Sequence, residues 1–193
     1  MFRYASLFAF ALVAVANPVA RQSCADVTVI FARGTFETAP IGTIVGPPFE
    51  AALQSALSGK SLNFIGVDYA ASLAGFEEGG DPAGAKTMAT DIENQASACP
   101  QTKIVMSGYS QGAQVVHKAA PQLSSSVQSR VNAVVMFGDP DDGQALPGVL
   151  NGRSLTFCAT GDDICTGGQI IGAPHLSYGA DAGAAASFVA SHV

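Results

Sequence analysis

Ser110 stands in Gly108-Tyr109-Ser110-Gln111-Gly112, between an apolar run (Lys103 to Met106) and a helix-like stretch, Ser110 to Ala120, that Pro121 ends. A serine hydroxyl attacks a carbonyl only when a base takes its proton. Gly-x-Ser-x-Gly alone is a weak signal, because a Gly-rich turn with no chemistry reads the same way. Between a strand and a helix it predicts a nucleophile elbow, with the serine on a sharp, strained turn.

The base must come from His117, His175 or His192, the three histidines of the chain. His117 falls two turns into the helix that Ser110 starts, so the helix holds its ring away from the hydroxyl, and it reads as a surface or partly packed residue. His192 is one residue from the last and subject to fraying. His175, in Ala173-Pro174-His175-Leu176, lies in a loop where Pro174 restrains the preceding backbone. It also fits the order nucleophile, acid, base. The acid must then lie between Ser110 and His175, among Asp139, Asp141, Asp142, Asp162 and Asp163. Gly-Asp-Pro-Asp-Asp-Gly at 138–143 reads as turn chemistry. Asp162 and Asp163 follow the fifth strand between Cys158 and Cys165, and the residues alone leave those two unseparated. For the oxyanion, the backbone N–H of Gln111 is one expected donor, and Thr35, in Ala32-Arg33-Gly34-Thr35, is the expected second.

The elements that must position these groups alternate. Strands are expected at Val27 to Ala32, Leu62 to Val67, Lys103 to Met106, Val131 to Phe137 and Ser154 to Phe157. Helices are expected from Pro47-Pro48 to about Leu57, from Pro82 to about Ala98, from Ser110 to Ala120, and over the Ala-rich tail from Ala182. Gly75 to Gly84, dense in Gly and acidic residues, reads as a loop. Strands apolar on both faces and alternating with helices imply an α/β fold, a parallel sheet flanked by helices. Sites in such folds form beyond the carboxyl ends of the strands. That puts Arg33-Gly34-Thr35, Tyr109-Ser110-Gln111 and Gly161-Asp162 on one edge.

Composition narrows the function classes. The 193 residues are 48% hydrophobic and 12% charged with a net charge of −6, and the nine Lys and Arg are scattered. A scattered positive charge offers no face for nucleic acid and no electrostatic hold on anionic membranes. Arg3, the apolar stretch Leu7 to Val15 and Ala14-Val15-Ala16 together read as a signal peptide over residues 1–16, although Pro18-Val19-Ala20 also permits cleavage. Residues 17–193 then form one exported domain. In an exported chain the four cysteines imply two disulfides. Cys158 and Cys165 flank a turn-like run and pair, which leaves Cys24 with Cys99. With three histidines and no Cys-x-x-Cys, no metal site and no cofactor are expected. There is no Asn-x-Ser/Thr acceptor either.

As a set, FARGT at 31–35, GYSQG at 108–112, CATGDDIC at 158–165 and APHLSYG at 173–179 resemble the fungal cutinase family, with the four cysteines where that family has its two disulfides. The resemblance spans essentially the whole mature chain. It implies an α/β-hydrolase with a five-stranded parallel core and no large lid. It also implies an extracellular, monomeric serine esterase acting on an insoluble polyester, cutin, or on small esters, touching hydrophobic surfaces peripherally. It implies Ser110 as nucleophile, His175 as base, and Asp162 rather than Asp163 as acid. Thr35 and Gln111 match the oxyanion positions, and Ile171 and Leu176 fall on the apolar rim, where Gln169 is a polar departure. Relatives often carry Ser at the position of Thr35, and an Asn after the second strand to support that hydroxyl. Leu73 to Glu77 holds no Asn, so the Thr35 hydroxyl is expected to be unsupported and its backbone N–H to act in its place.

Three other functions compete. An acetylxylan esterase shares this fold and elbow but tends to have more cysteines and a more polar cleft. A secreted recognition protein would need no triad. A serine protease would need an extended peptide groove, which nothing here suggests.

Overall fold

The computed structural model describes residues 24–193. The expected signal segment 1–16 lies outside the described residues. Five strands, β1 (Val27–Ala32), β2 (Leu62–Gly66), β3 (Lys103–Tyr109), β4 (Val131–Phe137) and β5 (Ser154–Phe157), form one sheet in the order β2-β1-β3-β4-β5. Every neighbouring pair is parallel. The connecting helices are α1 (Gly46–Ala56), α2 (Leu73–Glu77), α3 (Pro82–Ala98), α4 (Gln111–Ala119), α5 (Ser125–Gln128) and α6 (Ala182–Ala190).

The two-residue period of β1 sorts its side chains between two cores. Val27, Val29 and Phe31 pack with Phe49 and Leu53 of α1 and with Ala185 and Val189 of α6. Ile30 and Ala32 face Met88 and Ile92 of α3 and Val115 and Val116 of α4. Burial on both faces is what a parallel strand needs, and a fully buried Phe or Leu contributes about 1.5–3 kcal/mol. Polar Thr28 is tolerated inside because its hydroxyl accepts from Gln95 Nε2 at 3.0 Å and meets Thr102 Oγ1 at 3.3 Å.

Two differences from the sequence reading bear on the site. β3 runs three residues past Met106, through Ser107, Gly108 and Tyr109, with Ser107 Oγ donating to the Val135 carbonyl at 2.7 Å. The stretch expected to be a loop from Gly75 begins inside α2, which Ser72 caps by accepting from the Gly75 N–H at 3.2 Å. Both expected disulfides are formed, Cys24–Cys99 and Cys158–Cys165.

Candidate active site

The β3–α4 turn is tight enough to demand its glycines. A Cβ on Gly108 would lie 2.1 Å from the Gly112 carbonyl oxygen, and one on Gly112 would lie 2.0 Å from that of Ala32. Between them Ser110 adopts φ 55° and ψ −123°. A non-Gly residue holds such a conformation only where its surroundings enforce it. Here the Ser110 N–H donates to the Phe137 carbonyl at 2.9 Å, while the Ser110 carbonyl accepts the first bond of α4 from Ala113 at 2.8 Å.

His175 arrives from the short 3₁₀ turn Pro174–Leu176, 1% exposed. Its Nε2 is 2.9 Å from Ser110 Oγ and its Nδ1 is 2.8 Å from Asp162 Oδ2. The ring stacks on Tyr109 with centroids 5.2 Å apart, and the Tyr109 hydroxyl donates to the His175 carbonyl at 2.8 Å. On the other side it meets Gly138, where a Cβ would come within 2.9 Å of His175 Cε1. Asp162 is 3% exposed, inside the loop closed by Cys158–Cys165, and its Oδ1 accepts from the Ile164 N–H at 3.1 Å. Asp163 turns elsewhere. Its Oδ2 accepts from the Ile170 N–H at 2.9 Å, which ties down the apolar segment that follows. Of the five acidic candidates, Asp162 is thus the one at the imidazole.

Thr35 and Gln111 meet, and their contact corrects one expectation. Gln111 Nε2 donates to Thr35 Oγ1 at 2.7 Å and to the Ser72 carbonyl at 2.8 Å. The Thr35 hydroxyl is therefore supported, by the side chain of the residue expected to act only through its backbone. Turning the amide over would set Oε1 against the Ser72 carbonyl, two acceptors facing each other, so the orientation is fixed. Gly75 makes room for this amide, since a Cβ there would lie 2.6 Å from Gln111 Oε1.

The loop that carries Thr35 is pinned from three sides. Buried Arg33 donates to the carbonyls of Glu37 and Tyr69 at 2.8 Å each, and its own carbonyl accepts from the Tyr69 hydroxyl. The Glu37 carboxylate accepts from the N–H groups of Gly34, Thr43 and Ile44. The Phe36 N–H donates to the Ala71 carbonyl at 2.8 Å, and both Phe36 and Ala71 have positive φ.

A cavity of about 220 Å³ opens over Ser110, walled by apolar Phe36, Leu73, Phe76, Ile164 and Ile171 and by polar Thr35, Glu77 and Gln169. Ile171 stands where the rim was expected. Leu176 is exposed on the turn that carries His175 but does not line this cavity. Phe36, 77% exposed on the cavity wall, is a rim residue the sequence reading missed. It also missed the contact between His117, which is partly packed as expected, and Asp139. Asp139 begins the expected turn but is fully buried, and its Oδ2 lies 2.9 Å from His117 Nε2. Burial alone would discharge the His117 ring. The hydrogen bond and charge of Asp139, with Asp141 and Asp142 behind it, outweigh that and raise its pKa. No group of three or more His, Cys, Asp and Glu able to hold a metal occurs among the described residues.

A family model described as cutinase matches residues 23–193. A cutinase of Botryotinia fuckeliana is 52% identical over 178 residues, 92% of this chain and 88% of the relative. A cutinase of Coprinopsis cinerea is 49% identical over 98% of this chain and 97% of its own length. Among solved structures, a Trichoderma reesei cutinase in complex with a phosphonate inhibitor superposes with a TM-score of 0.84 at 44% identity, covering 89% of this chain and 78% of that one. With an α/β-hydrolase sheet and these matches over nearly all of its described length, the chain belongs to the cutinase family of serine esterases.

Proposed function

We propose that the protein is a secreted cutinase that hydrolyses cutin and short-chain esters through an acyl-enzyme on Ser110. The observation that carries this reading is the unbroken line from Ser110 Oγ to His175 Nε2 at 2.9 Å and from His175 Nδ1 to Asp162 Oδ2 at 2.8 Å. His175 takes the Ser110 proton as Oγ bonds to the ester carbonyl carbon. The negative charge that develops on the carbonyl oxygen is met by the N–H groups of Gln111 and Thr35 and by the Thr35 hydroxyl. That hydroxyl already accepts from Gln111 Nε2, so its own hydrogen is free to point at the oxyanion. The intermediate collapses, the alcohol leaves with the proton from His175, and a water deacylates Ser110 by the same route. Asp162 holds the imidazole tautomer and stabilises the imidazolium.

The exposed apolar side chains that wall the cleft, Phe36, Leu73 and Ile171, and their chain neighbours Ile170 and, beside His175, Leu176, suit peripheral contact with a hydrophobic polyester. An acetylated polysaccharide would set hydroxyl groups against those same side chains and leave them unpaired. Two disulfides accord with export, and we take the working unit to be a monomer.

The test compares release from a cutin film, from p-nitrophenyl esters of increasing acyl length and from acetylated xylan, using wild type and Ser110→Ala. Loss on the order of 10⁶ in rate with the fold intact is expected. A reactive phosphonate should label Ser110 and no other residue. Retained activity in Ser110→Ala, or faster release from xylan than from the polyester, overturns the reading.

A further inference from the structure

The His175–Asp162 pair has a buried neighbour whose proton has one place to go. Tyr178 follows His175 by three residues, in the turn Tyr178–Asp181 that leads into α6. It is fully buried, edge-on to His175 with centroids 6.1 Å apart. Its hydroxyl lies 2.6 Å from Asp162 Oδ2, the same oxygen that faces His175 Nδ1 at 2.8 Å. The Ala159 N–H donates to the phenol oxygen at 2.9 Å. A phenol that accepts there has its own hydrogen left to donate. Nearby, Cys165 Sγ at 3.4 Å is a disulfide sulfur, a poor acceptor beside a carboxylate. Burial, then the Asp162 carboxylate, hold the phenol protonated far above its ordinary range.

We propose that Tyr178 is a positioning residue for the catalytic acid: by donating to Asp162 Oδ2 it fixes that oxygen under His175 and limits how tightly the His175–Asp162 pair holds the proton taken from Ser110. The proposal rests on the triad reading above. The carboxylate is met by three donors, the Ile164 N–H on Oδ1 and Tyr178 and His175 on Oδ2. Each draws off part of its charge. Without the phenol, more of that charge falls on the imidazolium, and the pair gives up its proton only at higher pH. The other ionisable groups around these rings stay in place when Tyr178 changes. Asp181 acts on Tyr178, Glu37 acts on Tyr109, and Asp163 is bonded to Ile170. Asp139 and His117 pair one residue beyond Gly138, with Asp141 and Asp142 behind them.

The experiment is the pH dependence of kcat/KM on a soluble ester for wild type, Tyr178→Phe, Tyr109→Phe and Tyr178→3-fluorotyrosine. Tyr178→Phe should move the acid limb up by about 1 pH unit, the size expected for losing one charge-assisted hydrogen bond. It should lower kcat and leave KM alone, because Tyr178 does not line the cleft. Tyr109→Phe removes a phenol bonded to the His175 carbonyl, not to the carboxylate, and should leave the limb in place. 3-Fluorotyrosine is a stronger donor of nearly the same shape. It should move the limb down, and it decides the question if Tyr178→Phe does not fold. A limb that stays put in both Tyr178 variants overturns the proposal and makes Tyr178 a packing residue. Activity surviving in Ser110→Ala would instead overturn the triad reading beneath it.

Discussion

The side-chain amide of Gln111 donates to the hydroxyl of Thr35 at 2.7 Å, across 76 residues of sequence. The same amide donates to the Ser72 carbonyl, so the hydroxyl is held by a group that is itself held. A donor aligned before the reaction is worth about 3–4 kcal/mol to the transition state, and one that must be ordered during it is worth less.

Thr35→Val should therefore lower kcat by about 10²–10³, with KM little changed. Thr35→Ser keeps the oxygen that Gln111 grips and should stay close to wild type. Gln111→Leu keeps the backbone N–H but frees the Thr35 hydroxyl, so the two changes should be markedly non-additive in a double-mutant cycle. Additive effects would mean that the amide does not act through Thr35.

Asp162→Asn should reduce kcat by about 10⁴, because an amide at the imidazole favours the wrong tautomer. Asp163→Asn should cost about tenfold or less, through the Ile170 segment that its Oδ2 anchors. Steady-state kinetics on both variants separates the roles, and a larger loss at Asp163 would reverse them.

His117 and Asp139 make stability depend on pH. The folded protein binds the His117 proton more tightly than the unfolded chain, since its pKa is raised. The pair's contribution is thus complete below about pH 6.5 and is lost as pH rises through the folded value. His117→Gln should lower Tm most at pH 5–6, and the gap to wild type should close toward pH 9. A gap independent of pH would show that the ring serves by packing alone.

Dialysis against EDTA should leave ester hydrolysis unchanged, because the chemistry proposed runs on side chains and backbone N–H groups. Loss of activity that zinc restores would contradict it.

Local signals made most of the site legible. The glycines of the elbow, the β-branched runs of the strands and the Cys158–Cys165 spacing each act within a few residues. What escaped the sequence depends on distant partners. Gln111 finds Thr35 across 76 residues, and His117, on α4, finds Asp139 just past the end of β4. A Gly-Asp-Pro-Asp-Asp-Gly string reads as turn chemistry, and only the fold shows that its Asp139 is buried against His117. Phe36 escaped because no propensity anticipates a positive φ in an aromatic residue; the bond from its N–H to the Ala71 carbonyl holds it there. The short helix α2 had a readable start in Ser72, but Gly75 within it masked the pattern, and that glycine is there for the Gln111 amide.

Asp162 rides on a loop that one disulfide closes across a sequence separation of 7. Without that bond the segment has more freedom and a weaker hold on His175, so ester hydrolysis should fall in dithiothreitol, and a rate unchanged by the reductant would show that Ile164 and Tyr178 hold the carboxylate on their own.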